Sequence, residues 1–273
     1  MSISDNINDY NSLKTAVKLL ESPSITAKIS NIISFPIEGA VKKLPKSVTK
    51  KINGAVQVAL YKAADVALWS IDNQPHKSAS TKLHKLYAAT SGALGGAFGF
   101  TSLFIELPIS TTIMMRAVAD VARSEGFDLN DLSTKVACIE VFAIGGNNSK
   151  DDTTETGYYL SRSFMTESIR QLSKELAEMA AKQGANKFSP TQTGKWLAKI
   201  IEKVASRFGV VITNKFAAQV VPVIGALSGA TLNTLFTHFY QDIARGHFII
   251  KRLENQYGYE QVKEEYQKIL NKS

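Results

Sequence analysis

Two long stretches of this chain carry no charged side chain, and they limit the fold before anything else does. One runs from Leu86 to Ile105, the other from Phe216 to Gln241. Read as one helix, the shorter would reach about 30 Å, the depth of a bilayer core. Neither has the composition of a simple span. The first holds Gly92, Gly95, Gly96 and Gly99 among Ser and Thr. The second holds Gln219, Pro222, Gly225, Gly229, Asn233 and His238. Glycines four apart cut a shallow groove along a helix face, where another backbone can approach closely. Each glycine costs about 1 kcal/mol in a helix interior, so the approach has to return that stability through packing. Two readings follow: tight crossing of two apolar helices at the centre of a protein core, or a helical hairpin in contact with lipid. The two runs also share Gly92-Ala93-Leu94-Gly95-Gly96-Ala97 and Gly225-Ala226-Leu227-Ser228-Gly229-Ala230, alike at five of six positions.

The remainder of the chain reads as helix. Leu197, Ile200, Ile201, Val204 and Phe208 recur at helical spacing behind Ser189-Pro190, a cap followed by proline at the first helical position. Leu172, Leu176, Met179 and Ala180 share a face behind Asp152 and Glu155, which have capping-box spacing. Asp131 opens a helix that ends at Gly145-Gly146, and another is expected from about Val48 to Ile71. The best strand signal, Val210 to Thr213, is a short β-branched run in a helical context. Pro108 is expected to start a helix reaching about Ser124. The fold class is therefore all-α: a multi-helix bundle with two glycine-rich apolar helices packed closely at its centre. Residues 1–45 read as a variable, partly helical N-terminal extension and 46–273 as the helical domain.

On the helix after Pro108, Thr112, Arg116, Asp120 and Arg123 stack at intervals of four, four and three. That spacing places Arg116 and Asp120 for an ion pair, with Glu106 as a second acceptor. Facing the glycine-rich run, such charges would be buried and would have to be fully partnered. They then form either a structural network or a polar pocket for a lipid headgroup or peptide. Asn233, in an apolar helix, reads as an interhelical hydrogen-bonding residue that belongs with them.

No catalytic set is visible. P-loop, dinucleotide, nucleophile-elbow and H-E-x-x-H patterns are missing, so the reading leans away from an enzyme. His238 and Asp242 lie four apart without a third ligand in place, and neither metal nor other cofactor is expected. Cys138, the single cysteine, sits in the apolar run Val136 to Ile144 as a small hydrophobe, and no intrachain disulfide can form. Asp5, Asp9, Lys14, Lys18 and Glu21 interrupt the N-terminus before a signal-peptide core can form, so the expected compartment is the cytoplasm.

Charge supplies the partner. The chain is basic, with a net charge of +8. Between Glu38 and Asp65 stand Lys42, Lys43, Lys46, Lys50, Lys51 and Lys62, and no acid. Aromatic platforms between the basic residues are lacking and no DNA-reading motif is present, which argues against nucleic acid. A basic segment beside Phe35-Pro36-Ile37, Val41 and Leu44 fits contact with an anionic lipid surface, at the inner face of the membrane. A solvated lysine-rich linker is the plainer account.

Three segments carry a family resemblance. ELPISTTIMMRAVADVARSEG at Glu106–Gly126, VACIEVFAIGG at Val136–Gly146, and PVIGALSGATLN at Pro222–Asn233, followed by LENQYG at Leu253–Gly258, resemble the EcsC-like family of bacterial proteins. The resemblance covers roughly residues 45 to 265. It implies a helical protein and marks Glu106, Pro108, Thr112, Arg116, Asp120, Gly225, Gly229 and Asn233 as signature positions without assigned roles. Some members carry peptidase labels, and this chain shows no protease constellation.

The expected function is thus a membrane-associated, non-enzymatic helical protein that meets lipid or a membrane partner through its glycine-rich helices. The alternative is a soluble module holding a lipid-like or peptide ligand in an internal pocket near Arg116; a hydrolase stands third. Glycine faces also suit self-association into a homo-oligomer.

Overall fold

A computed structural model describes residues 2–33, 37–42, 44–69, 74–95, 100–145, 157–163, 165–167, 170, 190–220 and 229–272. After a short 3-10 turn at Ile3–Asp5 the chain forms α1 (Ile7–Leu20), α2 (Ile25–Ile33), α3 (Ile37–Lys42), α4 (Lys46–Trp69), α5 (Thr81–Gly95), α6 (Phe100–Ser124) and α7 (Leu132–Ile144). The series ends with α8 (Pro190–Val220), α9 (Gly229–Tyr257) and α10 (Tyr259–Leu270). Residues 157–163 are helical as well. No strand occurs among the described residues, and Val210 to Thr213 lies within α8.

The bundle is organised around α6 and α9. α6 runs along α4 on one side and α5 on another, while α9 packs against α5, α6 and α1. α8 closes the far side against α4 and α7, and α10 folds back on α9 and α1. The two helices into which the uncharged runs feed, α5 and α9, are therefore direct neighbours. Their apolar faces meet one shared core that includes Leu107, Met115, Val118, Phe142, Phe208, Phe236, Tyr240 and Leu253. Gly92 and Gly95 fall in the last turn of α5 and Gly229 opens α9, whereas Gly96, Gly99 and Gly225 lie outside the described residues.

Among the described residues the first run supplies the end of α5, to Gly95, and the start of α6, from Phe100; the second supplies the end of α8, to Val220, and the start of α9, from Gly229. Among the described residues no helix is long and apolar enough to cross a membrane.

Pro108 does not start its helix, as the sequence led us to expect, but sits eight residues inside α6. It removes one backbone donor, and burial of the following turns against α4, α5 and α9 outweighs that loss. The N-terminal residues are integrated into the fold: Leu13, Ala16, Val17 and Leu20 of α1 are buried. Asp9 accepts hydrogen bonds from Arg252, Gln256 and Tyr257 of α9. The expected helix through Leu172 and Met179, with Asp152 and Glu155 at its head, lies outside the described residues.

Candidate functional site

The described helices bring polar side chains together at three buried centres. At the first, α8 delivers Lys215, which is 0 % exposed, to the junction of α6 and α9. Its ammonium donates to Glu106 Oε1 at 3.1 Å and to Asn233 Oδ1, and stands 5.5 Å from the centroid of the Phe236 ring. Asn233 and Phe236 share a face of α9 because they are three residues apart. A carboxylate, an amide oxygen and an aromatic face thus surround the ammonium. Desolvating both ions is costly and only such complete partnering offsets it; the contacts join α6, α8 and α9 at one point. Glu106 and Asn233 were legible as polar oddities in sequence; Lys215 was missed. Its signal is that it carries the one formal charge between Arg207 and Asp242.

The second centre is Asp120. Spacing favoured Arg116 as its partner, but the carboxylate is held by Arg123, by His84 Nε2 at 3.2 Å and by the backbone N–H of Ser80. Burial alone would raise its pKa; the hydrogen bonds from His84, Arg123 and Ser80 reverse this and hold it down at about 2. Arg123 also donates to the carbonyls of Gln74 and Ser78, and accepts from the His76 N–H at its own carbonyl. The cluster clasps the 74–80 connection to the end of α6. Thr112 bonds back to the Pro108 carbonyl at 2.7 Å, and Arg116 is half-buried one turn before Asp120. The five residues expected in one network are therefore divided: Glu106 and Asn233 meet through Lys215, and Asp120 belongs to the clasp.

The third centre was not read from sequence. His247 of α9 is fully buried, with Nδ1 3.0 Å from the Tyr158 hydroxyl and Nε2 3.6 Å from Glu140 Oε2. Arg162 forms a two-pronged ion pair with Glu254 at 2.5 and 2.6 Å and flanks Tyr158. Burial pushes His247 down to about 4 despite the pull of Glu140. Burial would raise Glu140, yet its contact with His247 and the charges of Lys251 and Arg162 bring it below its ordinary value. A neutral imidazole beside an ionised carboxylate is a proton-transfer pair in composition, but Glu140 is only 6 % exposed and His247 not at all. Both side chains lie within the core. Burial likewise pushes the Cys138 thiol well up, which leaves it protonated and unreactive. His238 stands 3.5 Å from Asp242 on an open face of α9, and no group of three metal-ligating side chains occurs among the described residues.

On the surface, Lys46, Lys50, Lys51 and Lys62 are all exposed on α4, as is Lys42 at the end of α3; Lys43 lies outside the described residues. Ile52, Val56, Ala59, Leu60 and Ala63 form the opposite, buried face of α4. Two large apolar side chains, Val58 and Tyr61, share the exposed arc with the lysines. The model of the EcsC protein family matches residues 11–253. The chain belongs to the EcsC family. No curated protein and no solved structure matches it significantly.

The EcsC match takes in the first two buried centres, the third apart from Glu254, and the lysine face. It begins within α1, so it reaches into the segment that sequence alone set apart as an extension, and it ends within α9. Helix α10 lies beyond it.

Proposed function

We propose that this EcsC-family chain is a non-catalytic helical module that docks on an anionic membrane surface, at the inner face of the membrane. The observation that carries the reading is the outward face of α4. Over four turns it presents Lys46, Lys50, Lys51 and Lys62 with Val58 and Tyr61, and no acid interrupts it. Lysines near an anionic surface contribute about 1 kcal/mol each, and a tyrosine with an exposed aliphatic neighbour suits the headgroup boundary. Helix α5 offers a second strip of the same kind, with Lys82 beside exposed Leu83, Leu86 and Tyr87. Exposed apolar groups rimmed by one sign of charge are the pattern of a peripheral contact, one that needs no spanning helix.

The test is flotation of the purified protein with phosphatidylglycerol vesicles and with phosphatidylcholine vesicles. Binding is expected to the anionic vesicles only. It should weaken when salt rises from about 0.1 M to about 1 M, which shortens the Debye length from about 10 Å to about 3 Å. Lys50→Glu/Lys51→Glu should reduce it at least tenfold without changing the fold, because both side chains are exposed. Equal flotation with neutral vesicles, or a variant that binds like wild type, would overturn the proposal.

A further inference from the structure

A cleft of about 810 Å³ opens beside α1 at the end of α10, on a different part of the surface from the lysine face of α4. Its lining combines an apolar floor with a cationic rim. Val17 and Ile269 are buried beneath it and Leu270 is half-buried. Lys14 and Lys18 rise from α1, one helical turn apart, and Lys272 faces them from beyond α10. All three lysines are exposed, and among the described residues none is paired with a carboxylate. Lys14 instead lies over the ring of Tyr10, at 4.6 Å, which forms another wall. Glu21, the one acid in the lining, accepts the Tyr266 hydroxyl at 2.7 Å and is thereby turned to α10.

We infer that this cleft binds a free amphiphile with one anionic head group on an apolar chain. The apolar surface still open in the lining, at Leu270 and the Tyr10 ring, is better covered by an apolar body than by a small polar ion. The three rim ammoniums outnumber the one lining carboxylate, Glu21, and give the rim a net positive charge that favours an anionic head group over a neutral or cationic one. The size is that of a small-molecule site, within the usual range of about 300–1,000 Å³, rather than of a protein interface. From Tyr10 to Glu21 the α1 wall is about 16 Å long, which suits an extended acyl chain. Tyr10, Ile269, Leu270 and Lys272 fall outside the 11–253 family match, so the cleft lies partly beyond the matched segment.

The probe is dodecanoate below its micelle concentration, titrated calorimetrically into the full chain, with dodecanol as the uncharged equivalent. Saturable one-to-one binding of dodecanoate, with dodecanol at least tenfold weaker, is expected. Lys14→Glu/Lys18→Glu, which alters only exposed side chains, should weaken it about tenfold. Lys50→Glu/Lys51→Glu should leave it unchanged, which separates this site from the membrane contact. A photoreactive dodecanoate should label peptides of α1 and α10. The inference is overturned if dodecanoate does not bind, if dodecanol binds as well, if the α1 variant binds like wild type, or if the label falls elsewhere. It also fails if an acidic amphipathic peptide occupies the cleft and dodecanoate cannot displace it, since the cleft is then a protein-docking face.

Discussion

Removing one member of a fully buried ion pair leaves the other uncompensated, and Lys215 presents that situation cleanly. Lys215→Met strands Glu106 in the core with Asn233 unanswered. The expected cost is about 3–5 kcal/mol of unfolding free energy, measured by urea titration. Lys215→Met/Glu106→Leu should recover most of it, because apolar side chains of similar volume avoid the desolvation penalty. If single and double variants are equally unstable, the ion pair is not what the site contributes. The same residue shows where sequence reading stops. Glu106 and Asn233 stand out as polar groups among apolar ones, yet nothing in their spacing says that a third helix brings a lysine between them. Asp120 illustrates the converse. Helical spacing offers Arg116 at four residues and Arg123 at three, and the choice falls to the incoming 74–80 connection, whose Ser80 N–H and nearby His84 lie on one side of the carboxylate. Local periodicity cannot contain that information.

Among the elements, α10 is the one attached most simply. Gly258 alone separates it from α9, with φ 87° and ψ 152°, a conformation open almost only to glycine. A Cβ there would touch nothing within 4 Å, so Gly258→Ala tests backbone strain without a steric clash. The expected loss is about 1–3 kcal/mol. Hydrogen exchange should show it first in α10, whose hold on the body is the burial of Val262, Tyr266 and Ile269. Uniform loss of protection across α6 and α9 instead would mean that α10 is fully coupled to the core. Helix existence was largely legible: α4, α7 and the start of α8 at Pro190 fall within two residues of their expected places. Helix division was harder. Each charge-free run contributes to two described helices, α5 and α6 or α8 and α9, and the absence of charge carries no signal for such a division. Pro108 reads as a start signal, its commonest meaning, and the packing of α6 on three neighbours overrides it.

For the molecule as a whole, the buried centres impose an acid profile whose sign can be worked out. His247 sits near 4 in the folded protein against an ordinary 6.5, so the unfolded chain takes up a proton first as pH falls. Stability should then decline from about pH 6.5 to about pH 4, by about 3 kcal/mol, and this contribution should level off below that. Asp120 titrates near 2 against an ordinary 3.8, so its contribution is intact above about pH 4 and is lost as pH falls towards 2. Glu140, also held below its ordinary value, acts in the same direction. Glu125 acts in the opposite one: burial raises it against the charges of Arg252, Arg245 and His76, and its protonation in the folded state offsets part of the decline. Subtracting a variant isolates the histidine. His247→Gln should be less stable at pH 8, since it disturbs the contacts with Tyr158 and Glu140, but should lack the loss between pH 6.5 and 4. The loss below pH 4 should persist, because Asp120 and its clasp lie in a different part of the bundle. Urea unfolding at half-unit steps of pH reads both limbs. A wild-type profile flat from pH 7 to 4 would mean that the His247 site opens to water before it titrates, and that the third centre is not sealed as its burial indicates.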